Sequence, residues 1–199
     1  RHNDNRKTGR IAHYFYRSED GGLSWKRMPS FPVHTAYSLE VSATNPDVVV
    51  VRGSSNMVST NGGGSWQPVS GLGGMGTHNW MWCKTLVADP VDGNVFYAYH
   101  KGAFYRSTNG GKAFSRVSSA PHEAQLRHKG HKLVATPGIK GHLWMNFQPD
   151  GLYRSTNGGE SWTEVPGFKG TNKVGAMAVD VGVAPEGNPY PGAVFVPGK

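Results

Sequence analysis

The chain has 199 residues, enough for one domain or little more, and its 28 glycines and 13 prolines make up about a fifth of it against ~12% in ordinary usage, which argues against a helical bundle. A hydrophobic content of 37% with 6 Trp, 8 Tyr and 8 Phe can fill a core and excludes wholesale disorder, and the formal charge of +8 comes without any motif for specific nucleic-acid reading. The longest aliphatic run, residues 48–51, falls far short of a transmembrane segment, and the lone Cys83 excludes an internal disulfide and a multi-cysteine metal site.

The chain opens on a polar tail carrying Arg1, Arg6, Lys7 and Arg10, with no initiator methionine and no apolar signal segment, as expected of a chain processed, excised or incompletely known at its start. Residues 11–17 read as a strand and lead into the octet Ser18-Glu19-Asp20-Gly21-Gly22-Leu23-Ser24-Trp25. Strand-type stretches at 38–43, 48–52 and 57–58 lead into Ser59-Thr60-Asn61-Gly62-Gly63-Gly64-Ser65-Trp66. Those at 85–88, 94–100 and 103–106 lead into Ser107-Thr108-Asn109-Gly110-Gly111-Lys112-Ala113-Phe114. Those at 132–135, 142–147 and 152–154 lead into Ser155-Thr156-Asn157-Gly158-Gly159-Glu160-Ser161-Trp162. A short strand follows each octet, and the octets start 41, 48 and 48 residues apart.

Each position of the pattern Ser-x-Asp/Asn-x-Gly-x-x-aromatic has a physical task. The hydroxyl and the Asp or Asn oxygen accept backbone N–H groups inside a turn. The glycines take the positive φ that reversal of a hairpin requires. The aromatic ring packs under the turn and anchors it. The octet resembles the Asp-box, or bacterial neuraminidase repeat, with Asn in place of Asp in three copies. Four strands per repeat, A to D with the octet at the C–D turn, predict an all-β propeller of four-stranded antiparallel blades. Residues 36–70, 84–119 and 132–166 are expected as complete blades, 10–30 as strands C and D, and 174–197 as strands A and B of one propeller domain. Either the two partial units close a four-bladed ring or the chain is a portion of a larger propeller.

Connectivity places C–D and A–B turns on one face and B–C turns and D–A crossovers on the other. The second face carries the long crossovers 71–83, with His78, Trp80 and Trp82, and 120–131, with His122, Glu123, Arg127, His128 and His131. Its B–C turns add His100, Lys101, Phe147, Gln148 and Asp150. Indole faces suit the C–H faces of sugar rings, so Trp80, Trp82, His100 and Phe147 are the expected substrate contacts. The histidine spacing fits no standard zinc pattern, and neither metal nor cofactor is expected.

The runs Asn94-Val95-Phe96-Tyr97-Ala98-Tyr99, Gly141-His142-Leu143-Trp144 and Val181-Gly182-Val183-Ala184-Pro185-Glu186-Gly187-Asn188-Pro189-Tyr190-Pro191 resemble the C-terminal propeller of glycoside hydrolase family 74, over roughly residues 84–199. The resemblance implies a secreted, xyloglucan-cleaving endo-β-glucanase that inverts configuration with two aspartates, one from each of two propellers. The family's acid belongs to a stretch like Trp-x-Glu-Asp-Leu-x-x-Asp-Pro; here Trp82-Cys83-Lys84-Thr85-Leu86-Val87-Ala88-Asp89-Pro90 sets Thr85 where an aspartate is wanted. Glu40, Glu123, Asp150 and Asp180 are the carboxylates that connectivity lets approach the second face or the channel, and no catalytic residue is assigned. A sialidase reading lacks the Phe/Tyr-Arg-Ile-Pro segment. The resemblance therefore implies an extracellular, polysaccharide-binding portion of a xyloglucanase-like propeller whose partner is a β-glucan of the xyloglucan class or the remainder of a larger propeller. The alternative is a non-catalytic scaffold for protein or glycan.

Overall fold

The computed structural model describes residues 3–5, 10–12, 14–29, 31–75, 83–121, 131–147, 151–167, 180–181 and 194–195, and all regular structure among them is β. A first hairpin joins β1 (Asn3–Asn5) to β2 (Arg10–Ala12), and a second joins β3 (Tyr16–Arg17) to β4 (Lys26–Arg27). Three four-stranded antiparallel sheets follow in meander order. The first is β5 (Ala36–Val41), β6 (Val49–Gly53), β7 (Met57–Ser59) and β8 (Gln67–Pro68). The second is β9 (Leu86–Ala88), β10 (Phe96–His100), β11 (Ala103–Ser107) and β12 (Ser115–Ser119). The third is β13 (Lys132–Ala135), β14 (Leu143–Phe147), β15 (Gly151–Ser155) and β16 (Thr163–Glu164). A last pair joins β17 (Asp180–Val181) to β18 (Val194–Phe195). The N-terminal segment differs from expectation: residues 10–12 pair back with 3–5 as a separate hairpin, so the strand predicted over 11–17 is divided and only Tyr16–Arg17 enters the C position.

The sheets stack as blades, and the core lies between them. Along β6, Val49 and Val51 join Met57, Phe15 and Trp66 in one apolar layer, whereas Val50 joins Phe96, Leu86 and Phe114 in the next. Along β10, Phe96 and Ala98 face that second layer, whereas Tyr97 and Tyr99 face a third with Phe104, Leu143 and Phe147. The period of two sends alternate residues to opposite neighbours. Hence all five residues of β6 and of β10 are buried, while the outermost strands β4 and β8 are exposed.

The four octet turns share one geometry. Each serine Oγ accepts the N–H of its second glycine at 2.8, 2.8, 3.0 and 3.0 Å, in chain order. Each Asp or Asn Oδ1 accepts the N–H four residues on, at 2.9, 2.8, 3.0 and 3.0 Å. The first two glycines of every octet have positive φ, between 65° and 93°. Asn substitutes for Asp by reversing one bond. Ser24 Oγ donates to Asp20 Oδ2, but Asn61 Nδ2 donates to Ser65 Oγ at 2.9 Å and Asn157 Nδ2 to Ser161 Oγ at 2.8 Å. The bonds that Asp20 accepts hold its carboxyl down at about 2, those from Ser24 contributing most.

The aromatic positions are less uniform. Phe114 is buried, Trp162 stacks on Phe104 with centroids 4.0 Å apart, and Trp66 meets Phe15 edge-on at 5.3 Å. Trp25 departs from the expected anchoring role: 64% of it is exposed, because no strand among the described residues lies over it.

Candidate functional site

The two faces separate as connectivity requires. Gly62, Gly110 and Gly158 each donate their N–H to the A–B turn of their own blade, to the carbonyls of Asp47, Asn94 and Gly141, all at 2.9 Å. This octet face is also tied between blades. Arg17 meets Asp47 at 2.8 Å, Lys140 meets Asp92 at 2.7 Å and Arg106 meets Glu160 at 3.0 Å. Beneath them, buried Asp89 accepts from Tyr97 Oη and the Gly141 N–H through Oδ2, both at 2.8 Å. Its Oδ1 accepts the N–H groups of Val91 and Asp92 at 2.9 and 2.8 Å, so this buried carboxylate is fully engaged.

The opposite face is organised around a buried cation. Arg52 follows the apolar run of β6, and strand parity turns it toward the next blade, where its exposure is 1%. Its Nη1 donates to the carbonyls of Thr85, at 3.0 Å, and Tyr99, and its Nη2 donates to His100 Nδ1 at 2.9 Å. A guanidinium only donates, so His100 is fixed as the neutral tautomer protonated on Nε2. Arg52 Nε has no hydrogen-bond partner among the described residues. Burial lowers the Arg52 pKa to about 9, still leaving a cation at neutral pH. Burial, then the Arg52 and Lys101 charges, push His100 down to about 4.

The start of the first long crossover is pinned against this cluster. Asn56 Nδ2 donates to the carbonyls of Leu72 and Gly73 at 2.9 and 3.0 Å, and the Met75 N–H donates to Gly53 at 2.8 Å. A Cβ on Gly73 would come within 2.7 Å of His100 Nε2, so the backbone passes here only as glycine. At its other end Cys83 is a buried thiol whose pKa burial raises, and Lys84 pairs through its backbone with residues 131–133 of the following blade.

Several sequence-based assignments change. Phe147 does not face a cleft: it is 0% exposed and packs among Tyr99, Phe104 and Tyr153, because β14 is sandwiched between neighbouring strands. His100, 8% exposed, holds Arg52 instead of lying open to a ligand. His131 is likewise buried, against Tyr99 and Phe147. Glu40 is engaged by Lys84 Nζ at 3.0 Å and the Ala88 N–H at 3.4 Å, and Thr85 sits buried with its Oγ1 3.9 Å from Met75 Sδ. His78, Trp80, Trp82, His122, Glu123, Arg127, His128, Gln148 and Asp150 lie outside the described residues. Among the described residues no three His, Cys, Asp or Glu side chains gather as a metal site, and no helix is long and apolar enough to cross a membrane. Arg52 escaped the sequence reading. Its signal was a charge ending the Val48–Val51 run on a central strand, where a cation must find acceptors.

The His100 environment has a measurable consequence. Its folded pKa lies below the unfolded 6.5, so the unfolded chain takes up the proton first. The stability that neutral His100 contributes is complete above pH ~6.5 and declines as pH falls through 4, a loss on the order of 3 kcal/mol at one pKa unit per 1.36 kcal/mol. Urea unfolding at pH 7 and pH 4.5 is expected to show a steeper acid loss for the unsubstituted chain than for His100→Gln. Equal slopes refute the assignment.

The described geometry is that of known propellers. A family 74 glycoside hydrolase of Niastella koreensis superposes with a TM-score of 0.72 and 29% identity, over 92% of this chain and 25% of that one. The family 74 xyloglucanase of Xanthomonas campestris gives 0.58 and 19%, over 92% and 29% of the two chains. An ancestral family 74 enzyme gives 0.55 and 19%, over 76% and 21%. The chain thus spans about a quarter of the length of the enzymes it matches. No family model matches the chain, and no curated protein matches it. The fold is a family 74-like propeller, all-β and built of antiparallel blades.

Proposed function

We propose that the chain is the polysaccharide-binding portion of a secreted, xyloglucanase-like propeller, built on Asp-box hairpins, with the glycan lying across the face opposite the octet turns. The observation that carries this reading is the likeness to the Niastella koreensis enzyme over 92% of the chain. Trp80 and Trp82 are the sugar contacts in this reading, and they fall in the crossover whose start is fastened by Asn56 and Gly53. Anchoring of that kind lowers the ordering cost of binding. His100 and Phe147 then act beneath the surface, fixing the floor. Chemistry would come from residues beyond this chain, since Thr85 has no acidic group and Glu40 is held by Lys84. That second observation also favours the other reading, a non-catalytic scaffold.

Calorimetric titration of the purified chain with xyloglucan oligosaccharides tests the proposal. Binding is expected, with Trp80→Ala or Trp82→Ala weakening it about tenfold, or ~1.4 kcal/mol. Unchanged affinity in both variants removes the cleft assignment, and release of reducing ends by the chain alone refutes the absence of catalysis.

A further inference from the structure

The junction between the sheets β5–β8 and β9–β12 carries a polar layer that the next junction lacks. Asp47 and Asn94 hold equivalent places in their blades, since each accepts the N–H of the first octet glycine, Gly62 or Gly110. Five residues further on, Arg52 therefore corresponds to Tyr99. Tyr99 packs on the rings of Phe104 and Phe147, an aromatic solution to the same position. A buried cation is thus not a requirement of the blade.

Beside Arg52 stands a second polar group without a partner. Ser38 on β5 pairs directly with Arg52 on β6, and directly opposed residues project from one face of a sheet with Cβ atoms ~4.5–5.5 Å apart. The pairing depends on a bulge: Ala36 pairs with Gly53 and Ser38 with Arg52, so Tyr37 is the extra residue. Bulges re-aim the side chains beside them. The shared face is the one toward the following blade, because Glu40, two residues along β5 from Ser38, reaches Lys84 Nζ there at 3.0 Å. Ser38 and Arg52 are both more than nine-tenths buried. Neither Ser38 Oγ nor Arg52 Nε has a hydrogen-bond partner among the described residues.

Two donors and a positive charge thus meet in the interior. Burying an unsatisfied donor is costly, and burying an unpaired cation more so. The charge is not answered by the groups Arg52 bonds. Its other donors go to two carbonyls and a neutral imidazole, and Glu40, the carboxylate on the same face, is engaged by Lys84. A water bonded to Ser38 and Arg52 would satisfy the donors and leave the charge, whereas an anion satisfies both. Continuing the register from Val51↔Met57 puts Asn56 on the other flank of Arg52, and its orphaned Oδ1 is an acceptor. An anion therefore belongs on the Ser38 side. We infer that Ser38 Oγ and Arg52 Nε form a binding site for a single small monovalent anion of the halide class, which takes the hydroxyl and the Nε–H as its donors and neutralises the guanidinium. Two donors on adjacent strands, under a face closed by the next blade, suit a monatomic ion. The site lies between two complete four-stranded sheets and is independent of the glycan reading.

Urea unfolding of the 199-residue chain at fixed ionic strength, with chloride exchanged for gluconate, tests this. An ion held only by the folded state is expected to lower the unfolding equilibrium constant about tenfold for each tenfold rise in chloride above its Kd, the slope for one ion. Ser38→Ala removes one donor and is expected to flatten that dependence. Ser38→Asp sets a carboxylate beside the guanidinium, so its stability is expected to ignore chloride and to lie near that of the chloride-saturated unsubstituted chain. Crystals grown in bromide are expected to show an anomalous peak in contact with both Ser38 Oγ and Arg52 Nε. Stability of the unsubstituted chain that does not respond to chloride overturns the inference. So does a slope that persists in both Ser38 variants, or a position between the two side chains that holds an ordered water only.

Discussion

Replacing Arg52 by leucine is expected to cost about 3 kcal/mol of folding stability, read as a lower urea midpoint at unchanged slope. The guanidinium supplies the carbonyls of Thr85 and Tyr99 and the His100 Nδ1, three buried acceptors on the neighbouring blade. The Thr85 carbonyl keeps the Tyr99 N–H at 3.0 Å and so loses one of two bonds, whereas an acceptor left without a donor costs ~1–3 kcal/mol. Against that stands the recovered cost of burying a cation, which no carboxylate among its hydrogen-bond partners offsets. The lost bonds win because all three acceptors stay buried on the neighbouring blade when the side chain is removed. Arg52→Lys keeps the charge but concentrates its donors at one point, so it is expected to fall between, at roughly half the loss. In a double-mutant cycle, His100→Leu is expected to be less costly in the Arg52→Leu background, since the two groups share a bond. A stability change below ~1 kcal/mol for Arg52→Leu would mean that burying the cation costs as much as its bonds return.

Gly63→Ala is expected to destabilise by about 3 kcal/mol, and Gly22→Ala, at the same octet position, by only ~1 kcal/mol. Both glycines have positive φ, +89° and +93°, so both variants carry the backbone penalty of ~1–2 kcal/mol. They differ in what the new methyl meets. At Gly63 it overlaps the Phe15 ring, which is held between Phe31 and Trp66 and cannot withdraw. At Gly22 the nearest atom is in Trp25, 3.8 Å away at ordinary contact distance. Overpacking adds ~1–3 kcal/mol only in the first case. Gly111→Ala, which collides with Val50, belongs with Gly63, and Gly159→Ala, with neighbours no closer than 3.7 Å, belongs with Gly22. Thermal melts of the four variants check the ordering, and equal losses throughout would show that blade packing plays no part in the choice of glycine.

The division between what sequence alone determined and what needed the folded molecule follows the reach of the interactions. Every bond inside an octet joins residues at most four apart, such as Gly22 to Ser18 or Ser161 to Asn157. The pattern therefore carried its turns, their hairpins and the four-stranded repeat by itself. Its failures lie where a side chain's surroundings come from another blade. Trp25 and Trp66 occupy the same octet position, but Trp66 meets Phe15 and Phe31, some 50 and 35 residues before it, while Trp25 is left exposed. Strand ends near turns place His100 and Phe147 at the surface by sequence position alone. Contacts to Arg52, 48 residues earlier, and to Tyr99 and Phe104 put them inside. Local spacing fixes hydrogen bonds along a turn. Burial depends on which strands stack against one another, and that is decided only when the blades assemble.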